Sequence, residues 1–430
     1  MKRGVHMETD HTENMVSSLH EEMIKMMQED AAAWKKALAV LRDPPEVAVG
    51  QTPADVIFKD DLAELLHYRS PGGKDENRPP LLMVYALINQ PYILDLQPGR
   101  SVVESLLKAG MDVYMINWGN PDDRHQFLTL DDYVNYFIDV CVDRVRKESG
   151  RDSIHILGYC MGGTMSAMYT ALHPEKVKSL TLMAAGIDFS GGQGTLNFWA
   201  EKDFFDAEKV AQAFGTCPGD FLDGAYQWLD PVGNLYSKFL NFARNVDNQE
   251  FVDMFFRMEK WIHDGKDIPG PTFAQFVKEL YQENRLAENR FKLGGKLVDL
   301  NRITMPVLTL VGDFDTLVPP ETSLPFNDRV ASTDTSVMSA PVGHIGLSVS
   351  SKTHKGMWND VAKWIKEKDG TVKKPVEAVR GIGKKFGEKL REAGIESHLD
   401  LLGSDPEVIS RDTGIPAETL QKWIENAEEC

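Results

Sequence analysis

The sequence is poor in the features that mark secreted, membrane-spanning and metal-binding proteins. Its 430 residues include four cysteines, at positions 141, 160, 217 and 430, without a C-x-x-C pair, so neither a disulfide framework nor a zinc site is indicated. The longest apolar run, Leu81–Ile88, is far shorter than the roughly 20 residues of a membrane-spanning helix, and the polar N-terminus has no signal-peptide core. We expect a soluble, cytoplasmic chain without a transmembrane segment.

The chain also lacks an excess of basic residues. Its 47 lysines and arginines against 65 acidic residues give a formal net charge of −18 at pH 7. This charge disfavours non-specific binding of the whole chain to nucleic acid or anionic lipid, although a local basic patch is compatible with it. With 42% hydrophobic residues, the chain can form one large core with an appendage, or two medium domains.

What the sequence does contain is an alternation of apolar, β-branched runs with amphipathic stretches. This order predicts a doubly wound α/β core, with a parallel sheet flanked by helices. The predicted strands are Leu81–Ile88, Asp112–Asn117, Ser153–Tyr159, Leu180–Ala184, Pro306–Gly312 and Thr335–Ser339. The predicted helices between them are Ser101–Ala109, Leu130–Lys147 and Gly162–Leu172.

Two further segments are predicted to be mainly helical. Residues 188–302 are rich in aromatic side chains and show no strand alternation, which predicts a cap over the C-terminal edge of the sheet, where such folds place their active sites. A peripheral insertion is the alternative. Residues 14–42 carry Met, Leu and Trp at helical spacing, which predicts a helix. Its apolar face would pack on the protein's own core or contact a partner. We therefore divide the chain into an N-terminal helical region 1–48, a catalytic domain 49–369 and a C-terminal module 375–430.

The C-terminal module begins where the composition changes, at Pro375. Helices are predicted on both sides of Gly381–Gly383 and again near Pro406–Arg411 and Pro416–Ala427, as in helix-hairpin-helix modules. Between 371 and 391, seven basic residues face two acidic ones, a local excess of five positive charges. Such a hairpin can present backbone N–H groups to DNA phosphates, but many modules of this shape bind protein or support structure. Both kinds of contact remain open.

The strongest local signal is the segment Gly-Tyr-Cys-Met-Gly-Gly at 158–163, between a predicted strand and a predicted helix. It matches the G-x-nucleophile-x-G turn, with Cys160 at the nucleophile position. The glycines remove side chains that would collide where the strand turns into the helix. The turn directs the Met161 N–H, at the positive end of a helix, toward the place where an oxyanion forms. Because an isolated cysteine is often an apolar filler, the assignment depends on the partners of Cys160.

Candidate partners follow later strands, in the chain order nucleophile, acid, histidine that is typical of α/β-hydrolase folds. His344 is the predicted base. Asp315 is the preferred acid because it leads into a turn that can direct its carboxylate at the imidazole, whereas Asp313 is predicted to stabilise that turn; either could instead cap the next helix. We expect His155, within a buried strand, and His354, at the start of a surface helix, to have structural roles.

With these residues in place, the sequence resembles the catalytic subunits of class III polyhydroxyalkanoate synthases, from about 49 to 366. Besides the cysteine turn, the resemblance rests on Pro79–Asn89 (PPLLMVYALIN), Pro91–Gly99 (PYILDLQPG) and Met258–Ile262 (MEKWI). It implies an α/β-hydrolase fold with a helical cap. It also implies polymerisation of (R)-3-hydroxyacyl-coenzyme A, commonly the 3-hydroxybutyryl thioester, into polyester, with release of coenzyme A.

The resemblance places Cys160, Asp315 and His344 on the family's nucleophile, acid and base. It implies that the growing polyester chain is bound, and that neither a cofactor nor a metal is needed. It also implies a homodimer with a helical companion subunit of the PhaE type, located on cytoplasmic polymer granules. In hydrolase folds the segment after the first parallel strand supplies a second oxyanion donor, so Ile88 and Asn89 are candidates. Asn89 could equally be a turn-forming residue. About 60 C-terminal residues lie beyond the usual end of the family.

A cysteine nucleophile suits this chemistry. Acyl transfer from a coenzyme A thioester to Cys160 exchanges one thioester for another and keeps the acyl group reactive toward a hydroxyl. Two alternatives stay open: a hydrolase or thioesterase, in which water attacks the acyl-enzyme, and a tethering protein with an inactive enzyme domain. A synthase would form insoluble polymer, a hydrolase or thioesterase would release free acid, and a tethering protein would show no turnover.

Overall fold

An eight-stranded, mostly parallel sheet forms the centre of the computed structural model, which describes residues 31–70, 78–191, 194–370, 374–402 and 404–428. The strands are β1 Ala54–Asp60, β2 Ala63–Tyr68, β3 Pro80–Val84, β4 Asp112–Trp118, β5 Ile154–Tyr159, β6 Val177–Met183, β7 Val307–Gly312 and β8 Thr335–Ala340. Their order across the sheet is β1-β2-β4-β3-β5-β6-β7-β8. β2 pairs antiparallel with β1 and β4, and all other neighbours pair parallel.

Helices cover both faces of this sheet, so its central strands are continuous apolar runs, as parallel strands usually are. Every residue of β3, β5 and β7 is buried. The helices around the sheet are α2 Val102–Lys108, α3 Asp139–Ser149, α4 Met161–Leu172, α11 Pro320–Ser323, α12 Gly346–Val349, α13 Ser351–His354 and α14 Met357–Asp369, with a π-helical turn Asp132–Ile138 before α3. In the ranges described, no helix is both long and apolar enough to cross a bilayer.

The predicted α/β-hydrolase-type core is confirmed, with two differences. β3 ends at Val84, four residues earlier than expected, and the segment 85–89 leaves the sheet as a loop. β1 and β2 were not predicted, because they lie at the antiparallel edge and lack the long apolar run of a central strand. Val56 in β1, for example, is 53% exposed.

The chain between β6 and β7 forms the cap, and the expectation that it is mostly helical is confirmed. Its helices are α5 Thr195–Trp199, α6 Ala207–Phe214, α7 Gly219–Leu229, α8 Lys238–Arg244, α9 Gln249–His263 and α10 Gly270–Gln275, with π-helical turns Gly233–Ser237 and Phe276–Gln282. The cap also contains two short strand pairs, although its sequence shows no strand alternation. Thr216–Cys217 pairs with Ile268–Pro269, and Lys292–Leu293 pairs with Lys296–Leu297, each over two residues.

The N-terminal helix α1, described over 31–42, packs on the cap. Ala37 is fully buried in a cluster with Phe242 of α8 and Phe255 of α9, and Lys36 forms an ion pair with Asp247. For this part of the helix, packing on the protein's own surface is the correct interpretation. The methionines at 15, 23, 26 and 27 that suggested a partner surface lie outside the described residues.

The C-terminal module has a hydrophobic core of its own. Its helices are α15 Lys384–Glu392, α16 His398–Leu402, α17 Pro406–Thr413 and α18 Ala417–Glu428, and a short 3₁₀ turn, Val376–Ala378, replaces the helix predicted before Gly381. α16 was not predicted. The buried side chains of this core include Val376, Leu390, Ile409, Leu420 and Trp423. They form a cluster separate from the core of the α/β domain.

Because the two cores are separate, a cavity in one is expected to leave the other intact. Leu420→Ala removes a fully buried side chain and should destabilise the module by about 2–5 kcal/mol. In native-state hydrogen exchange, protection should fall across α15–α18 and stay unchanged in β3–β7. Lys422→Ala, an exposed change on the same helix, is the control. Loss of protection in both regions would show that the two cores unfold as one unit.

Candidate active site

Cys160 lies on a sharp turn between β5 and α4, in a backbone conformation that residues other than glycine rarely adopt. Its φ and ψ are 56° and −130°. Its N–H donates to the carbonyl of Met183 at 2.9 Å, and its carbonyl accepts from the N–H groups of Gly163 and Thr164 at 2.8 and 3.2 Å. These bonds hold a conformation that is otherwise unfavourable by about 1–3 kcal/mol. The side chain of Cys160 is partly exposed.

The glycines of the turn are required by close backbone contacts. A Cβ on Gly162 would lie 2.3 Å from the carbonyl oxygen of Val84, and one on Gly163 would lie 2.5 Å from the Cβ of Ala185. Since the first contact is with backbone, no side-chain movement could relieve it. The spacing of the motif thus has the steric cause proposed from the sequence.

His344 and Asp315 come together as the chain order predicts. Nδ1 of His344 and Oδ2 of Asp315 are 2.7 Å apart, and both residues are buried. The other carboxylate oxygen, Oδ1, accepts from the N–H groups of Leu317 and Val318 at 2.9 and 2.8 Å. Asp315 therefore both contacts the imidazole and stabilises the turn. Asp313, to which the sequence analysis gave the second of these roles, has an exposed side chain.

The electrostatics of His344 favour its protonated form. Burial by itself lowers the pKa of His344, but the sulfur of Cys160 and the carboxylate of Asp315 act in the opposite direction and raise the pKa of His344 to about 10. With Nδ1 turned to Asp315, the other ring nitrogen is available to Cys160. A protonated imidazole stabilises a thiolate, which is the nucleophilic form of cysteine.

Tyr159, next to the nucleophile, is a contact that the sequence analysis missed. Its hydroxyl donates to the backbone carbonyl of His344 at 3.0 Å, and its ring stacks on the imidazole with a centroid distance of 5.2 Å. The residue before Cys160 thus fixes the loop that carries His344. Its place within the G-x-C-x-G motif was the available signal, but the direction of its side chain depends on the fold.

Of the three predicted oxyanion residues, two line the cavity and one does not. Met161 and Ile88 line the same cavity as Cys160, and Met161 is in the first turn of α4, where an N–H has no acceptor within the helix. Asn89 is buried, and its side-chain oxygen accepts from the N–H of Gln90 at 2.5 Å. This bond reaches only the next residue, whereas a turn-forming Asn binds the backbone two residues on, so both roles of Asn89 stay predictions.

Cys160 opens into an apolar cavity of about 560 Å³ beneath the cap. Most of its lining is aromatic or aliphatic, and the cap contributes Phe205, Phe221, Phe273 and Tyr281. The cap is therefore not a peripheral insertion, because its side chains lie over the nucleophile turn. A cavity of this size and character suits an uncharged acyl chain.

Hydrogen bonds join two of the segments that carried the resemblance. The indole N–H of Trp261, in MEKWI, donates to the carbonyl of Gln90 at 3.0 Å. The hydroxyl of Tyr92, in PYILDLQPG, donates to Asp264 at 2.7 Å. These bonds join α9 of the cap to the loop that follows β3.

The remaining candidates lie away from the cavity. Cys141 and Cys217 are buried, and burial raises the pKa of each thiol to about 12, which disfavours reactivity. His155 contacts Ser179 at 2.7 Å and Asp369 at 3.3 Å, in its predicted structural setting. His354 ends α13 rather than beginning it. Among the residues that the structure describes, no cluster of three or more His, Cys, Asp or Glu is arranged to hold a metal.

Three family models match the sequence. The model described as the alpha/beta hydrolase fold matches residues 79–350, or 272 of 430. The model of the poly-beta-hydroxybutyrate polymerase (PhaC) N-terminus matches residues 10–106, and that of the SAM-like helix-hairpin-helix tandem matches residues 374–429. The first two matches overlap over residues 79–106, and the third lies within the C-terminal module.

Curated relatives resemble the chain over most of its length. The poly(3-hydroxyalkanoate) polymerase subunit PhaC of Haloferax mediterranei is 40% identical, covering 95% of this chain and 96% of the relative. Those of Haloarcula marismortui and Allochromatium vinosum are 44% and 40% identical, covering 88% and 75% of this chain and 91% and 90% of the relatives.

These alignments also bear on the C-terminal module. The Haloferax alignment leaves 5% of the 430 residues uncovered, about 22, fewer than the 56 residues in 374–429. Part of the module therefore has a counterpart in that relative, although the resemblance had placed the whole tail beyond the family's usual end. The chain belongs to the poly(3-hydroxyalkanoate) polymerase subunit PhaC family of α/β-hydrolase-fold enzymes.

Proposed function

We propose that this enzyme polymerises (R)-3-hydroxyacyl-coenzyme A, with the 3-hydroxybutyryl thioester as the main substrate, through a covalent thioester on Cys160. The observation that carries the proposal is the position of Cys160 on its turn, in an apolar cavity and beside an imidazole held by Asp315. The printed names of the relatives support a poly(3-hydroxyalkanoate) product. No cofactor is required, because coenzyme A is both the carrier and the leaving group.

In the first half-reaction His344 holds the proton of Cys160, and the thiolate attacks the thioester carbonyl. The oxyanion receives a hydrogen bond from the Met161 N–H at the N-terminus of α4. The bond between the carbonyl carbon and the sulfur of coenzyme A then breaks, and His344 gives its proton to the leaving sulfur. The products are free coenzyme A and an acyl group on Cys160.

In the second half-reaction His344, now neutral, takes the proton of an incoming hydroxyl, from a monomer or from the growing chain. The hydroxyl oxygen attacks the acyl group on Cys160, an ester forms, and the cysteine leaves as a thiolate beside the protonated imidazole. The apolar lining disfavours water in the cavity, and for this reason a hydroxyl on an acyl chain is preferred over water as the acceptor.

The family also supports proposals about assembly. We propose a homodimer that works with a helical companion subunit of the PhaE type at the surface of polymer granules. The word "subunit" in the relatives' names supports a partner. Large apolar side chains of the cap that are exposed to solvent offer surface for such contacts: Phe198, Phe204, Phe214, Trp228 and Tyr236.

Incubation with 3-hydroxybutyryl-coenzyme A, with and without a companion subunit, tests the activity directly. Release of coenzyme A and turbidity are followed together. Coenzyme A release with insoluble polyester is the expected result. Release of coenzyme A with soluble free acid would identify a thioesterase, and the absence of both would identify a tethering protein.

Cys160→Ala is expected to reduce coenzyme A release about 10⁴-fold or more, because the cavity lining that the structure describes contains no second thiol. Thermal unfolding should change little, since the side chain is small and partly exposed. A radiolabelled acyl analogue should be attached to the peptide that contains Cys160. Cys141→Ala is the matched control and should retain the rate; label on Cys141 or Cys217 would refute the assignment.

Asp315→Asn is expected to lower kcat by about 10²- to 10⁴-fold, because an amide would place His344 in the wrong tautomer. Asn can still accept from the N–H groups of Leu317 and Val318, so the turn should persist. Asp313→Asn, two residues away and exposed, should change kcat less than twofold. Equal effects of the two substitutions on steady-state kinetics would mean that Asp315 does not orient the imidazole.

We propose that the C-terminal module contacts another protein and contributes nothing to catalysis. Of the four basic residues on α15, two are engaged within the module: Lys389 donates to the carbonyl of Thr413, and Arg391 pairs with Glu377. Lys384 and Lys385 at the start of the helix, with Arg380 just before it, remain as exposed cations. Three cations give a weak electrostatic basis for DNA binding, so a protein partner is favoured.

A chain that ends at Gly370 keeps the contact between Asp369 and His155 and all residues of the cavity. Its rate of coenzyme A release should stay within about twofold of the full-length rate. A tenfold fall, about 1.4 kcal/mol in the barrier, would assign the module to the catalytic unit. Binding of duplex DNA that weakens steeply with salt and with Lys384→Glu plus Lys385→Glu would replace the protein partner with nucleic acid.

A further inference from the structure

A lysine of the cap is buried beside the loop that follows β3. Lys266, between α9 and α10, is 2% exposed, and its ammonium group donates to the carbonyl oxygen of Trp118 at the end of β4. Within the described ranges, no carboxylate forms an ion pair with it. Burying an ammonium group without a carboxylate partner is unfavourable, so its position needs a reason other than stability.

Lys266 is linked to both ends of the segment 85–88. Its backbone N–H donates to the carbonyl of Ile88 at 3.0 Å. The carbonyl that its ammonium binds belongs to Trp118, whose indole N–H donates to the carbonyl of Tyr85 at 2.9 Å. The two bonds made by Trp118 are buried, so water competes little for them.

This segment in turn touches the nucleophile turn. A Cβ on Gly162 would lie 2.6 Å from the carbonyl oxygen of Tyr85, so the loop backbone is in direct contact with the first turn of α4. Ile88, at the other end, lines the cavity with Cys160 and Met161. A small shift of the segment would therefore change the space in which the thioester carbonyl must lie.

We propose that Lys266 is a positioning residue for acyl transfer, which holds the segment 85–88 against the nucleophile turn through Trp118 and Ile88. The inference rests on the proposed function of Cys160. Lys266 does not line the cavity, so it acts on the reacting atoms only through the loop.

The charge of Lys266 makes this role dependent on pH. Burial lowers the pKa of Lys266 from 10.5 to about 8, and Glu64 of β2, already paired with Lys59, opposes this only weakly. The neighbouring Asp267 is engaged by the N–H of Gly219 and by Thr216. As the pH rises through about 8, Lys266 loses its proton, and its hydrogen bond to Trp118 loses the assistance of the charge. We expect kcat to fall over this interval.

The contribution of Lys266 to the free energy of unfolding changes with pH in the direction opposite to that of kcat. Between about pH 8 and 10.5 the lysine is neutral in the folded chain and still protonated in the unfolded chain. The unfolded state then binds more protons, so the contribution of Lys266 to the free energy of unfolding rises with pH. If Lys266 only stabilised the fold, kcat and its contribution to the free energy of unfolding would change with pH in the same direction. The positioning role predicts that kcat falls while that contribution rises.

The experiment compares Lys266→Met, which keeps the shape and removes the donor, with Lys278→Met, an exposed cap lysine paired with Glu208. At pH 7 the first variant should lower kcat for coenzyme A release about tenfold, with KM within twofold, and the second should change neither. Lys266→Arg should recover part of kcat and remove the fall near pH 8, because arginine keeps its charge. The difference in unfolding free energy between wild type and Lys266→Met, followed from pH 7 to 10, gives the stability profile.

Trp118→Phe removes the indole donor but keeps the backbone carbonyl. Combining it with Lys266→Met should lower kcat little further than either change alone, because both act through the same segment.

Acyl labelling of Cys160 separates the positioning role of Lys266 from the proposed function of Cys160. If Cys160 is labelled in every variant but Lys266→Met matches Lys278→Met in kcat, or raises KM with kcat unchanged, the positioning role is refuted and the proposed function stands. If Cys160 is not labelled even in the wild type, the proposed function fails first.

Discussion

The geometry of the site depends on the backbone conformation of Cys160, whose φ is positive. Here the strand turns into the helix at one residue with a positive φ, a conformation that persists only where surrounding contacts hold it. The backbone bonds to Met183, Gly163 and Thr164 supply the restraint. Because β5 is central in the sheet, the turn is anchored by the most buried part of the molecule, and the sulfur is presented where β3, β5 and β7 all end.

The other parts of the site are held by bonds that connect distant segments in the sequence. Tyr159 ties the nucleophile turn to the loop of His344, and Asp315 fixes both the imidazole and its own turn. On the opposite side, Trp261 of the cap binds the loop after β3. The cap is thus bonded directly to the loop that borders the nucleophile, so its position and the geometry of the site are coupled.

Sequence patterns predicted the central strands, the cysteine turn and the pairing of Asp315 with His344, because each has a local cause: an apolar run, a steric need for glycine, or a chain order tied to strand ends. β1 and β2 were missed since edge strands lack that apolar run. The end of β3 was misplaced because the apolar residues continue into a loop that is buried by the cap. Lys266 was passed over because nothing near it in the sequence indicates burial; the cap and β4 meet there only in three dimensions.

The apolar lining of the cavity has a consequence for hydration. The cavity is large enough to hold several waters, but its walls offer few groups to which they can bond. Such water is held loosely and is released at little enthalpic loss when an acyl chain enters. Under the proposed function, each repeat unit that entered the cavity would dry the surroundings of Cys160 further. The hydration of the cavity, set by how much of it the product occupies, would then decide between lengthening the polymer and hydrolysing it.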